Sequence, residues 1–431
     1  MKERPRLLLA DASGEIYDEP GLLMLCRKGQ EWTLPRPDEL IPLPEESELF
    51  LLPGRHAVGL DEETGDTVEV DDLAVAAFVS PGYTLTAHPA YVTGEGAPVL
   101  PLFAYGAVGI IGDKLYVCAG KVDEDPRQVF TGISAKKIRK NAEALMKRFP
   151  QNRLMQHLMH NCVLRYACPA ARNLALGRYE CPLPTSHVCN ARCVGCISHQ
   201  DADSKICRPP QDRMTFTPTA EEIAEVMLYH MGNEPAPIYS FGQGCEGEPL
   251  TQGKLLVDAV RLFRAKGGSG TVNLNSNASM PHWIAELGEA GLNSLRVSMN
   301  SAREEVYKRY YRPSYGFENV RQSIREARSR GVFVSLNLLY FPGITDSEKE
   351  IEALVGFVNE LDVNFIQLRN LNIDPEMYPA LLEGIEFGPA VGLANFKKRL
   401  KKACPGLAFG YFNPHVKAEG DGDAKAGAAL Q

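Results

Sequence analysis

The chain has no run approaching the roughly 18 consecutive apolar residues that a membrane helix requires. Its opening stretch, M-K-E-R-P-R-L-L-L-A-D-A, holds only a short apolar run that ends at Asp11. Neither a membrane span nor a signal peptide is expected. Positive charge is scarce too: 46 Lys and Arg against 54 Asp and Glu leave a net charge of −8, which argues against general nucleic-acid binding. The basic stretches at 136–140, 307–312 and 397–402 lie in charge-mixed, helix-like contexts and read as solvated helix faces. The glycine-rich run Gly106–Gly112 lacks the G-x-G-x-x-G spacing of a dinucleotide site, and strand-like K-L-Y-V-C-A follows it. It reads as a hairpin turning at Gly112-Asp113-Lys114. Eleven cysteines in 431 residues do not make a disulfide scaffold. They concentrate around 162–207, which favours metal in a reducing, cytoplasmic setting. No cysteine-rich C-terminus is visible, since Cys404 stands alone there.

What remains is an ordinary globular composition, 44% hydrophobic and 23% charged, in a chain long enough for two domains or one large domain with an extension. Residues 1–130 read as a β-rich domain, because apolar runs such as Leu49–Leu52, Leu73–Val79 and Leu115–Ala119 alternate with turn signals. Residues 131–176 read as a helical connector. From 177 to 375, β-type and α-type segments alternate. The strands expected are Arg178–Leu183, Pro237–Phe241, Thr271–Asn275, Ser294–Met299, Val332–Tyr340 and Asn364–Leu368. The helices between them begin at signals such as the capping box Thr219-A-E-E and Pro281. Such alternation predicts a parallel sheet flanked by helices, with active groups at the carboxyl ends of the strands. Residues 376–416 form a C-terminal segment, and 417–431, rich in Ala, Gly and Asp, read as a disordered tail.

The chemistry centres on H-V-C-N-A-R-C-V-G-C-I-S. Three thiols spaced C-x3-C-x2-C, Cys189, Cys193 and Cys196, can hold three irons of a [4Fe–4S] cube and leave the fourth open to a ligand. Taken alone, the triplet also permits structural zinc or bystander thiols. The strand ends add F-G-Q-G-C-E-G-E-P-L (Phe241–Leu250), N-L-N-S-N-A-S (Asn273–Ser279), V-S-M-N-S (Val297–Ser301), V-S-L-N-L-L-Y-F-P-G (Val334–Gly343) and F-I-Q-L-R-N-L (Phe365–Leu371).

In that order and at those intervals, the set resembles the radical S-adenosylmethionine (SAM) superfamily over roughly residues 178–375. The branch containing molybdenum-cofactor and peptide-maturation enzymes looks most similar. The resemblance implies an α/β fold, a (βα)6 partial TIM-type barrel, preceded here by the β-rich domain. It implies an enzyme that binds a [4Fe–4S] cluster on the three cysteines and cleaves SAM to a 5′-deoxyadenosyl radical for hydrogen abstraction. Glu246, Gly247, Glu248 and Pro249 match the stretch that engages the methionine ammonium, with Glu246 where a glycine usually stands. Ser276, Asn277 and Ala278 match a short polar stretch near SAM, and Ser298 and Asn300 match groups near its carboxylate and ribose. Asn337, an amide within an apolar strand, is expected to face SAM or substrate, as are Gln367 and Arg369. Gly195 departs from the pattern, since the family usually places an aromatic there. Cys245, at a strand end before Glu246, is a candidate substrate-side thiol, and both are expected catalytic residues.

Cys162, Cys168, Cys181 and Cys207 bracket the triplet, with His157 and His160 just upstream. Their spacings match no compact ligand motif, and buried thiols are the default reading, with a second metal or auxiliary cluster as the alternative. An electron donor such as flavodoxin or ferredoxin is implied, with a peptide or small molecule as substrate. A tRNA-modifying enzyme and a non-catalytic electron-transfer protein remain the alternatives.

Overall fold

The computed structural model describes residues 3–202, 204, 206 and 209–416; the expected tail at 417–431 lies outside them, as does Cys207. Seven strands, Glu180–Leu183, Ile238–Phe241, Thr271–Ser276, Ser294–Met299, Phe333–Tyr340, Phe365–Asn370 and Ala408–Gly410, form one sheet in chain order. Every neighbouring pair is parallel. Helices follow most of them, including Gly253–Ala265, Pro281–Ala290, Phe317–Ser329 and Glu348–Leu361. This is the βα alternation expected from sequence, extended by a seventh strand that the sequence reading did not include.

Strand side chains alternate between faces, and here the two faces differ in kind. Leu274, Leu295, Val297, Leu336 and Ile366 are fully buried in the main hydrophobic cluster with the helices. The opposite face is polar. Register pairs Ser298 with Asn337 and Asn337 with Gln367, so three of the residues singled out above stand in one row. Arg296 and Ser335 form the row before it. Asn413, beyond the seventh strand, donates to Glu180 at 2.7 Å and accepts from Gln367 at 2.9 Å, and so closes this polar lumen.

Residues 6–121 hold a nine-stranded antiparallel sheet. Glu48–Asp61 pairs with both Ile16–Met24 and Thr67–Phe78, and Arg6–Ala10 also pairs with both of those partners. The pairing therefore closes on itself and leaves fewer open edges. The strands Gly106–Ile111 and Lys114–Lys121 form the expected hairpin.

The N-terminal strands dock on the carboxyl ends of the fifth and sixth parallel strands. Gly29 N–H donates to the Pro342 carbonyl at 2.9 Å, Thr84 Oγ1 to the Leu368 carbonyl at 2.9 Å, and Leu85 N–H to Asn370 Oδ1 at 2.8 Å. Arg55 and Asp374 form a buried ion pair at 2.9 Å, 3% and 5% exposed, and Asp374 also accepts from the Leu100 amide. Removing one partner strands the other charge away from water. Asp374→Ala is expected to cost about 3–5 kcal/mol, read as a shift in the denaturant midpoint; an unchanged midpoint would show that the pair is dispensable.

Candidate active site

The cysteine loop, the exit of the first strand, is held by the segments that follow the second, third and fourth strands. On one side, Gly247 N–H donates to the Ser186 carbonyl at 2.7 Å and Glu248 N–H to the Val188 carbonyl at 2.8 Å. On the other, Arg192 N–H bonds the Tyr311 carbonyl at 3.0 Å, Val194 N–H the Tyr310 carbonyl at 2.9 Å, and Ser314 N–H the Asn190 carbonyl at 3.0 Å. The loop is thus stitched along the end of helix Glu304–Tyr311. Across the middle, Asn190 donates to Ser279 Oγ and accepts from Asn277 Nδ2, both at 2.8 Å.

Glu248, Ser276 and Asn277 are brought together. The Glu248 carboxylate accepts from Ser276 Oγ at 2.5 Å, Asn277 N–H at 2.9 Å and Leu250 N–H at 3.0 Å. Burial pushes this carboxyl up to about 7, against the pull of those donors. Glu246 sits differently. Its Oε2 accepts from Thr185 N–H at 2.7 Å, Ser186 N–H at 2.9 Å and Thr185 Oγ1 at 3.2 Å, while Oε1 accepts from Gln243 N–H at 2.7 Å. It binds the first strand's exit to the second strand's exit. Asn300 donates to Tyr378 Oη at 2.9 Å. The Cys245 sulfur groups with Cys162 and His157.

Ser298, Asn337 and Gln367 line the lumen, and several lumen atoms lack hydrogen-bond partners although buried: Asn337 Oδ1, Gln367 Oε1, Asn273 Oδ1, Ser294 Oγ, Ser335 Oγ and Arg296 Nε. Unpaired buried polar atoms are costly, and so many on one face set it apart from the apolar face that packs on the helices. Arg296 escaped the sequence reading. Burial, with Arg369 adding to it, pulls its guanidinium down to about 9. The signal was available, since an arginine between Leu295 and Val297 breaks an apolar strand at a lumen position. Arg213, whose Nη2 lies 3.4 Å from Cys196 Sγ, was also missed. Gly195 lacks the usual aromatic because Tyr310 fills the space: a Cβ at 195 would lie 2.6 Å from Tyr310 Oη.

Residues 183–355 match the radical SAM superfamily. The chain carries a radical SAM domain. Members of that superfamily are enzymes that use a [4Fe–4S] cluster and SAM. The probable GTP 3′,8-cyclase of Pyrobaculum aerophilum is 27% identical over 143 residues, 32% of this chain and 46% of that protein. The GTP 3′,8-cyclase of Alkaliphilus oremlandii is 25% identical over 183 residues, covering 42% and 53%. The chain spans about half the length of the curated relatives it matches. The crystal structure of HydG, a maturase of the [FeFe]-hydrogenase, aligns with a TM-score of 0.38 at 16% identity, over 66% of this chain and 64% of that one.

The residues present fit these cofactors. Cys189, Cys193 and Cys196 are free thiols, half-buried on one loop. Among the described residues they do not close into a group within 4.8 Å, as ligands of a single ion would, and a polynuclear cube needs wider spacing. Burial pushes the Cys193 thiol well up, with Cys196 and Cys189 adding to it. That thiol would ionise on binding iron, whose positive charge offsets the burial.

Proposed function

We propose that the chain uses the cluster and SAM to abstract a hydrogen atom from a peptide or small organic molecule bearing an anionic group. When bound, the cofactors supply the chemistry: one electron from a flavodoxin- or ferredoxin-type donor breaks the sulfonium C–S bond, giving methionine and a 5′-deoxyadenosyl radical that leaves as 5′-deoxyadenosine after taking the hydrogen. The observation that carries the reading is the convergence of strand-end loops on the cysteine loop. Cys189, Cys193 and Cys196 would hold the irons. Gly247, Glu248, Ser276 and Asn277, already tied to that loop, would hold the methionine end, and Asn300 would lie beside the mouth. Ser298, Asn337 and Gln367 offer donors and acceptors deeper in the lumen. Arg296 and Arg369 would meet the anionic group there. The curated relatives are named for GTP, an anionic small molecule, which agrees in kind with two guanidiniums in a buried lumen. Glu246 acts by positioning, since its oxygens serve loop amides. A flavodoxin- or ferredoxin-type donor and an oxygen-sensitive cluster suit a reducing, cytoplasmic setting.

Anaerobically reconstituted protein with dithionite and SAM is expected to release 5′-deoxyadenosine, and Cys193→Ala is expected to release none. Wild-type protein with an intact cluster and no 5′-deoxyadenosine would defeat the proposal.

A further inference from the structure

Away from the cysteine triplet, one imidazole and two thiols meet. The ligand atoms of His157, Cys162 and Cys245 all lie within 4.8 Å of one another. Cys162 and Cys245 are buried, 3% and 8% exposed, and neither is in a disulfide. His157 Nδ1 bonds the Asn161 side chain at 3.0 Å, whereas Nε2 is buried and makes no hydrogen bond of normal geometry. The Cys245 thiol beside the ring is only a weak hydrogen-bond partner, and a buried ring nitrogen is costly unless something stronger takes its lone pair.

The backbone is shaped to make this meeting. In an α-helix, residues five apart point about 140° away from each other, at 3.6 residues per turn. Here the α-helix Arg153–His157 passes into a π-helix, Leu158–Arg165, continued by Tyr166 N–H to the Asn161 carbonyl at 2.9 Å. The i→i+5 repeat of a π-helix brings residues five apart toward the same side, as His157 and Cys162 require. Such rare turns occur chiefly where function demands them. Cys245 arrives from the second strand's exit, its carbonyl held by Met214 N–H at 2.8 Å.

We propose that His157, Cys162 and Cys245 bind a single thiophilic divalent cation, zinc in the first instance, independently of the radical SAM cluster. Two thiolates and an imidazole are a zinc ligand set, with a fourth position left for water or another donor. With Zn–S of about 2.3 Å, tetrahedral ligand atoms stand about 3.8 Å apart, which the compactness of this group allows. The Asn161 side chain is placed to fix the ring through Nδ1, once its amide oxygen faces that nitrogen. The ion would clamp the helical segment to the loop Gly242–Glu248, and so assigns Cys245 a ligand role in place of a substrate-side one. Metal transfer balances simply: two thiol protons leave as the cation enters.

The test uses the full chain with Cys189, Cys193 and Cys196 all changed to alanine, so that no radical SAM cluster contributes. Loaded with cobalt(II), this protein is expected to show thiolate-to-cobalt charge transfer and tetrahedral ligand-field bands at one cobalt per chain. Adding Cys162→Ser, Cys245→Ser or His157→Gln should remove or shift them, whereas Cys404→Ser should not. X-ray absorption on the zinc-loaded protein needs no change at the site, and should find two sulfurs and an imidazole around zinc. A shell lacking that set, no stoichiometric cobalt, or iron with inorganic sulfide at these residues would overturn the proposal.

Discussion

A methyl group at Gly247 is expected to silence the site as completely as loss of a cluster thiol. A Cβ there would fall well inside contact with the Val188 carbonyl and 3.1 Å from the Cys189 amide nitrogen. Both obstacles are backbone, so no side chain can swing aside. Relief must come from pulling the two loops apart, which breaks Gly247 N–H to Ser186 and Glu248 N–H to Val188. Those bonds hold the segment that carries Cys189. A displacement near 1 Å at a catalytic constellation costs about 100-fold in rate, so Gly247→Ala should lower 5′-deoxyadenosine release by at least that factor. Iron per chain should fall in parallel. Gly356→Ala is the matched control, because a Cβ there meets nothing within 4 Å. Normal iron content and normal release in Gly247→Ala would show that the close approach is not needed.

Glu246→Ala should lower stability about as much as Asp374→Ala. Four donors, three backbone amides and one hydroxyl, converge on this carboxylate, which is 4% exposed. Truncation leaves them facing an empty buried space, at about 1–3 kcal/mol for each group that water cannot reach. A net cost of about 3–5 kcal/mol follows, by analogy with breaking a buried charged network. The effect has a pH signature. Burial pushes the carboxyl up to about 7, so the folded chain holds this proton more tightly than the unfolded chain. That contribution is fully present below the ordinary carboxylate range and is lost as pH rises toward about 7. The deficit of Glu246→Ala should therefore be greatest in mild acid and narrow toward neutrality, measured by denaturant unfolding across that range. A deficit that widens with pH would reverse the assignment.

Much of the barrel was legible because apolar β-type runs and capped helices recur at regular intervals. Its last strand, Ala408–Gly410, was not, being three residues with one large side chain. Helix Glu304–Tyr311 read as a solvated helix face without its buried side, since that inner face is built from Val306 and three tyrosines that hydropathy treats as half-polar. Strand Glu48–Asp61 was seen only in part, because Pro53 and Gly54 interrupt the run where its pairing shifts register. At the site, period-two alternation brings Asn337 and Gln367 into one row and would have found Arg296. No local rule could join Cys245 to Cys162 and His157. That meeting depends on a π-turn and on the crossing of elements distant in the chain.

At the seam between the two sheets, Gly29 and Gly343 meet backbone to backbone, where a Cβ on Gly343 would collide with Lys28 and the Gly29 nitrogen. Together with the buried Arg55–Asp374 pair, this contact removes the slack that a flexible hinge would use. The antiparallel part then cannot detach without baring the exits of the fifth and sixth parallel strands. Both parts are therefore expected to open together, as one transition in denaturant.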